Sequence, residues 1–368
     1  MTFRASAWAT RAEFRAASGV LLVLRDPPPP PPPARGQPPA VPANPAEGPE
    51  VLLALWDDGS VTALSGHVDL GTGLQTALAQ IVAEELDLPL HCVAMALGDT
   101  ARAPNQGATI ASASIQIHAQ PLRRAAAQAR AWLAARGAGW LGVPAAHVQT
   151  RAGHVQLRAD AARQVPYGQL VAGQRTVLAL DEQAALKDAA DYRLVGTSQP
   201  RLDIPAKLAG EAVFVHDLRL PGMLHGRVVR PPYAGADHGD FIGHTLAAVH
   251  QASVAHVPGL RGVVVVGDFV GVVAEREEHA EAAMRQLDVR WKPWPGMPGL
   301  HDVEQALRTN PATQRRLVDD GDVEAALAAG APLQRSYERT YLWPYQMHAS
   351  IGPSCALAQW QPDGAAAP

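Results

Sequence analysis

Residues 67–86 begin His67-Val68-Asp69-Leu70-Gly71-Thr72-Gly73-Leu74-Gln75-Thr76 and continue Ala77-Leu78-Ala79-Gln80-Ile81-Val82-Ala83-Glu84-Glu85-Leu86. The glycine pair ends an extended segment and opens a helix, because Leu74, Ala77, Leu78, Ile81, Val82 and Leu86 recur at helical spacing. The helix stops near Asp87, before Pro89. Glycines at such a junction let backbone approach a ligand closely, and the first N–H groups of a helix favour an anion. Thr72 and Thr76 add hydroxyls. The stretch has no G-K-[ST], and Thr76 stands where a full G-x-G-x-x-G needs glycine. A tight strand–helix turn with no ligand presents the same residues, so both readings stay open.

On the amino-terminal side, Val51–Trp56 and Ser60–Ser65 are apolar runs around Asp57-Asp58-Gly59, a hairpin signal. On the other side, Cys92–Leu97 reads as a strand, followed by a polar loop from Gly98 to Ser114. Loops of that length inside compact domains are often functional, while Ser and Thr before a helix are also ordinary caps. An alanine-rich helix follows from Gln116 to Arg136, with Pro121 as a kink point, and Val165-Pro166-Tyr167 opens a small helix.

A second unit is expected after Gly196. Ala212–Val215 and Met223–Val229 read as strands around Leu220-Pro221-Gly222, and Arg261–Val266 pairs with Val270–Ala274. The amphipathic helix Glu277–Leu287 and the strand Asp288–Trp291 complete an α+β unit. A connector from Lys292 leads to Gln334–Trp360, which opens as a further strand.

At the amino terminus, Thr10-Arg11-Ala12-Glu13-Phe14-Arg15 and the apolar Ala16–Leu24 resemble a twin-arginine export signal whose second arginine has become Ala12. A tail fits equally, which leaves cytoplasm and periplasm both open. Pro27–Pro33 and the prolines after it form a polyproline linker. The expected organisation is a tail or degenerate signal over 1–26 and a linker over 27–49. Then come a first domain over 50–196, a second over 197–300, and a connector with the start of a third over 301–368.

The chain has 368 residues, 47% hydrophobic and 18% charged, with net charge −4. No basic surplus points to nucleic acid, and no apolar run approaches the ~20 residues that span a bilayer. The two cysteines, Cys92 and Cys355, fall short of the four thiolates of an iron–sulfur cluster and read as thiols without a metal. The 14 histidines lack paired-ligand spacing. No residue is assigned as a metal ligand or as catalytic.

Together these segments resemble the molybdopterin-binding large subunit of the xanthine dehydrogenase/aldehyde oxidase family, in the branch of nicotinate dehydrogenase and isoquinoline 1-oxidoreductase. That branch reads E-L-G-T-G or E-x-G-Q-G, then T-A-L-A-Q-I-V-A-E-E-L, then G-D-T, P-x-Q-G-x-T and S-x-S. Here the matches are Asp69–Gly73, Thr76–Leu86, Gly98-Asp99-Thr100, Pro104–Thr109 and Ser112-Ala113-Ser114. Arg201–Gly210 and Asp217–Pro232 are similar to the entry of the family's a/b hammerhead domain, and Tyr345–Ala356 to the opening strand of its main cofactor domain.

The resemblance implies an α+β chain: a partial molybdopterin-binding domain, an a/b hammerhead domain, and the first strand of a truncated second cofactor domain. It implies a molybdenum–molybdopterin cytosine dinucleotide and hydroxylation of N-heterocycles or aldehydes with water-derived oxygen. Gly71, Thr72, Gly73, Thr76, Gln106, Gly107, Ser112 and Ser114 would then contact the pterin or its phosphates. The implied partners are a small [2Fe–2S] subunit, a chain supplying the missing cofactor domain, and, as one electron acceptor, a cytochrome. The family's later glycine-rich loop and its carboxyl-proximal glutamate have no counterpart, and Glu84 and Glu85 sit on an early helix. The expectation is a truncated subunit with little or no turnover by itself. The competing reading is a non-catalytic remnant or interaction module.

Overall fold

The computed structural model describes residues 10–27, 48–212, 214–233, 243–294, 301–313 and 315–328, with 335, 337–344, 346 and 350–360. Residues 28–47 of the proline linker expected over 27–49, and His348, lie outside the described residues. The chain is α+β and divides into two compact units, 1–212 and 213–368. Among the described residues no helix is long and apolar enough to cross a membrane.

The first unit starts with helix α1 (Arg11–Ala16) and strand β1 (Val20–Arg25). Strands β2 (Glu50–Trp56) and β3 (Val61–Ser65) form the expected hairpin. Helix α2 (Leu74–Leu86) carries the chain to β4 (Val93–Leu97), parallel to β3. A π-helical turn, Ser114–His118, precedes the long helix α3 (Ala119–Leu141). Pro121 lies in the first turn of α3, where a missing N–H costs little, and the irregularity falls on the π-turn instead. Strands β5 (Val148–Arg151), β6 (His154–Leu157) and β7 (Gln164–Pro166) make a separate small sheet. Helix α4 (Tyr167–Val171) and strand β8 (Arg175–Ala179) follow.

The main sheet has the order β4-β3-β2-β1-β8, with β1 antiparallel to β2 and parallel to β8. Within the segment 1–26, expected as a tail or degenerate export signal, Val20–Arg25 is a strand paired on both sides. Its apolar run is continuous because both faces are covered. Leu21 and Val23 pack with α2 and α3, while Val20 and Leu22 pack with Phe14 and Trp56. Phe14 is fully buried, its ring 5.9 Å from that of Trp56. Thr10 and Glu13 form a capping box on α1.

The division at 212/213 falls later than the sequence boundary at 196/197 because two segments are bonded to α2. The Glu84 carboxylate accepts from the amides of Arg193, Leu194 and Val195 at 2.7, 2.6 and 3.1 Å, and Arg201–Asp203 fold over the amino terminus of α2. Helix α5 (Ile204–Leu208) closes the unit.

In the second unit, β9 (His225–Val229), β11 (Leu260–Val266) and β12 (Phe269–Ala274) form an antiparallel sheet in the order β11-β12-β9. Strand β10 (Leu246–His250), which the sequence did not disclose, pairs with β13 (Asp288–Trp291). Helix α6 (Glu277–Gln286) covers a core of Val254, Val270, Val272, Ala283 and Leu287. The strand expected at Ala212–Val215 is not formed by its described part: residues 215–217 are a 3-10 turn, with Asp217 accepting from the Phe214 amide. Helices α7 (Val303–Thr309) and α8 (Val323–Leu327) are short. The described residues of 335–360 form no strand, contrary to the expected opening strand of a cofactor domain, and they expose Tyr341, Trp343 and Trp360.

Candidate functional site

Gly71 and Gly73 adopt φ of 90° and 81°, the left-handed region only glycine enters freely, and Gly73 is the N-cap of α2. The turn wraps around Asp69. Its carboxylate accepts from the amides of Gly71 (2.9 Å), Gly73 (3.2 Å) and Gln75 (3.0 Å). Burial acts to raise the Asp69 pKa, but the amides of Gln75, Gly71 and Gly73 outweigh it and hold it below the ordinary carboxylate value. The amino terminus of α2 is thus filled by the chain's own anion. The amides of Gly71 and Gly73 are engaged rather than open to phosphate.

Arg201 secures the outer side of the turn. Its Nη1 donates to the Gly71 carbonyl at 2.9 Å, while Nε and Nη2 donate to both oxygens of Asp203. Hydrogen bonds from Arg201 and then Lys207 hold the Asp203 carboxyl well below its usual range. Thr76 is buried, and its hydroxyl accepts from the Leu202 amide at 2.9 Å.

The polar loop 98–114 runs along the segment joining β3 to the glycine turn. Gln106 Oε1 accepts from the Ser65 hydroxyl (3.0 Å) and the Gly66 amide (2.8 Å), and Thr109 accepts from the Val68 amide (3.0 Å). Gly66 permits this approach, since a Cβ there would lie 2.1 Å from the Pro104 carbonyl oxygen. Gly107 (φ 77°) is exposed, as is Ser112, which shares positive φ with Ala111 (52° and 56°). Such strain in non-glycine residues concentrates at functional sites.

Ser114 reaches the same segment from the π-turn, its Oγ 2.6 Å from Nδ1 of His67. His67 is fully buried, and the ring of His118 lies against it with centroids 4.1 Å apart. Burial, the largest cause, lowers the His118 pKa.

The eight residues singled out in the sequence fall on the glycine turn and on the loop and π-turn at 106–114, and they differ in exposure. Gly71, Thr72, Gly107 and Ser112 are exposed, whereas Gly73, Thr76, Gln106 and Ser114 are engaged in internal contacts. Asp69, His67 and Arg201 were not picked out. The one available signal was an Asp two residues before the first glycine, the spacing of an Asx turn.

Glu84 and Glu85 are structural. Both are buried, Glu84 on the backbone of 193–195 and on Lys187, Glu85 on Arg123 and Arg130. Among the described residues no group of three or more His, Cys, Asp or Glu could hold a metal ion. Cys92 is half-buried, and burial, then the charge of Asp58, raises its thiol pKa.

The loop is thus pinned on the segment leading into the glycine turn, and comparison with known proteins says which family carries this arrangement. The family model described as molybdopterin cofactor-binding domain matches residues 35–209. A nicotinate dehydrogenase subunit of Pseudomonas putida is 52% identical over 353 residues, 95% of this chain and 29% of that protein. The beta subunit of isoquinoline 1-oxidoreductase from Brevundimonas diminuta is 30% identical over 300 residues, 69% of this chain and 36% of that protein. Among solved structures, quinoline 2-oxidoreductase from Pseudomonas putida 86 aligns at 23% identity and TM-score 0.28, over 32% of this chain and 15% of that one. The chain belongs to the xanthine dehydrogenase family and carries its molybdopterin cofactor-binding domain, on the side of nicotinate dehydrogenase and isoquinoline 1-oxidoreductase. It spans about a third of the length of these two relatives.

Proposed function

We propose that residues 65–76 and 104–118 form one wall of a site for molybdenum–molybdopterin cytosine dinucleotide, in a hydroxylase of N-heterocycles or aldehydes. One observation carries the reading: the loop is pinned through Gln106, Thr109 and Ser114 on residues 65–68, the segment that leads into the glycine turn, while Gly71, Thr72, Gly107 and Ser112 stay exposed.

These residues fit such a group. A Cβ at Gly71 or Gly107 would meet nothing within 4 Å, so a ligand can lie against bare backbone there. The hydroxyls of Thr72 and Ser112 are donors for phosphate or pterin oxygens. Because Asp69 holds the amides of Gly71, Gly73 and Gln75, ligand contact is assigned to Thr72, Gly107 and Ser112. Gly73, Thr76 and Gln106 act by fixing the turn. When bound, the group supplies the transfer of water-derived oxygen to an electron-poor carbon and accepts the electron pair. A small [2Fe–2S] subunit would pass the electrons on, with a cytochrome as one acceptor.

A second reading, a binding module without turnover, draws on Glu84 and Glu85, the carboxylates of α2, both committed to structure. The test is the molybdenum and CMP content of the chain purified alone and after co-expression with the proteins encoded beside it. One equivalent of each in the co-expressed sample, together with dye reduction by an N-heterocycle, is the expected result. Molybdenum and CMP without dye reduction select the binding module. Neither in either sample overturns both readings.

A further inference from the structure

His67 reads from sequence as an ordinary core histidine, yet its Nε2 is buried without a hydrogen-bond partner among the described residues. Buried polar atoms are rarely left so, and each exception calls for a cause. The surroundings supply one. His67 lies two residues before Asp69, whose carboxylate organises the glycine turn. Its Nδ1 is taken by Ser114 at 2.6 Å. Ser114 opens the π-turn and His118, its ring tilted 51° against that of His67, closes it. Single π-turns within helices frequently sit at functional sites. Just before this turn, Ala111 and Ser112 hold positive φ.

We infer that His67 is a ligand-facing hydrogen-bond donor of the proposed site, that Ser114 fixes its tautomer, and that His118 covers it. The inference rests on the cofactor reading above and adds a residue to it. With the Ser114 hydroxyl assigned as donor to Nδ1, the proton of the neutral imidazole sits on Nε2, which then presents an N–H. Its complement is an acceptor oxygen, a phosphate oxyanion or a ring carbonyl. His118 is half-buried, so rotation of its side chain is the movement that uncovers Nε2.

The experiment has two arms on the full chain. In the first, imidazole nitrogens are observed by NMR in protein labelled with ¹⁵N-histidine, His67→Gln assigning the signal. The neutral Nε2–H tautomer is expected for His67, and Ser114→Ala should mix the two tautomers. An Nδ1–H tautomer or an imidazolium in the parent overturns the inference. In the second, molybdenum retained through gel filtration is compared for parent and His67→Gln, each co-expressed with the proteins encoded beside it in cells that synthesise the cofactor. Retention about tenfold weaker, the effect of one lost hydrogen bond to a charged group, is expected at unchanged melting temperature. Equal retention removes His67 from the site and leaves the cofactor reading standing. No molybdenum in the parent removes both. Should His67→Gln lower the melting temperature, Ser114→Ala takes its place in the retention assay, with the same two outcomes.

Discussion

The carboxylate of Asp69 and the backbone amide of Gln75, 3.0 Å apart, close the first turn of α2 upon the residue that leads into it. A helix start that looks in sequence like a phosphate cradle is thereby neutralised from within. The exposed surface of the turn, rather than its amides, remains for a ligand.

Asp69→Ala should lower stability by about 1–2 kcal/mol, the usual effect of losing a side-chain cap. The folded pKa of Asp69 lies below 3.8, so its contribution is complete above that value and is lost as pH falls through the folded pKa. Urea titrations of both proteins should differ by a constant amount above about pH 5 and converge in acid. A difference independent of pH would remove the carboxylate as its cause.

Glu84 joins α2 to the 193–195 backbone, and Lys187 approaches it at 3.1 Å from the same side. Glu84→Ala removes the shared acceptor of three backbone amides and one of the two carboxylates on Lys187, which keeps Asp87 at 2.7 Å. The expected loss is about 1–3 kcal/mol by denaturant unfolding. Glu84→Gln, keeping one oxygen, should lose less.

Gly137 on α3 faces β6, where a Cβ would fall 2.5 Å from Cβ of Val155. Alanine favours a helix by about 1 kcal/mol over glycine, but overpacking of this kind costs about 1–3 kcal/mol. Gly137→Ala should therefore destabilise, and the added change Val155→Ala should recover part of the loss. Additivity of the two changes would show that the contact is not the reason.

Phe14 tests the standing of the amino terminus. Its side chain is fully buried against Trp56, so Phe14→Ala should cost about 3–5 kcal/mol. An unchanged melting temperature would return residues 10–26 to the status of a tail.

Elements with local signals were legible. The α2 periodicity, the Asp57-Asp58-Gly59 hairpin and the β11–β12 pair all stand where spacing put them. Strand β1 was not, because its partners β2 and β8 lie far along the chain and an apolar run behind arginines also reads as a signal. Strand β10 was missed for the same reason, its partner β13 following only after a hairpin and a helix. At the site, glycines announce themselves by spacing. Asp69, His67 and Arg201 are single polar residues whose roles arise from tertiary contacts no period encodes.

Hydrogen–deuterium exchange, compared between protein from cells that make molybdopterin and protein from cells that cannot, addresses the central claim most directly. Slower exchange confined to 69–75 and 106–118 in the cofactor-containing sample is the predicted result. Identical exchange across both segments, in a sample shown to hold molybdenum, would contradict the placement of the site.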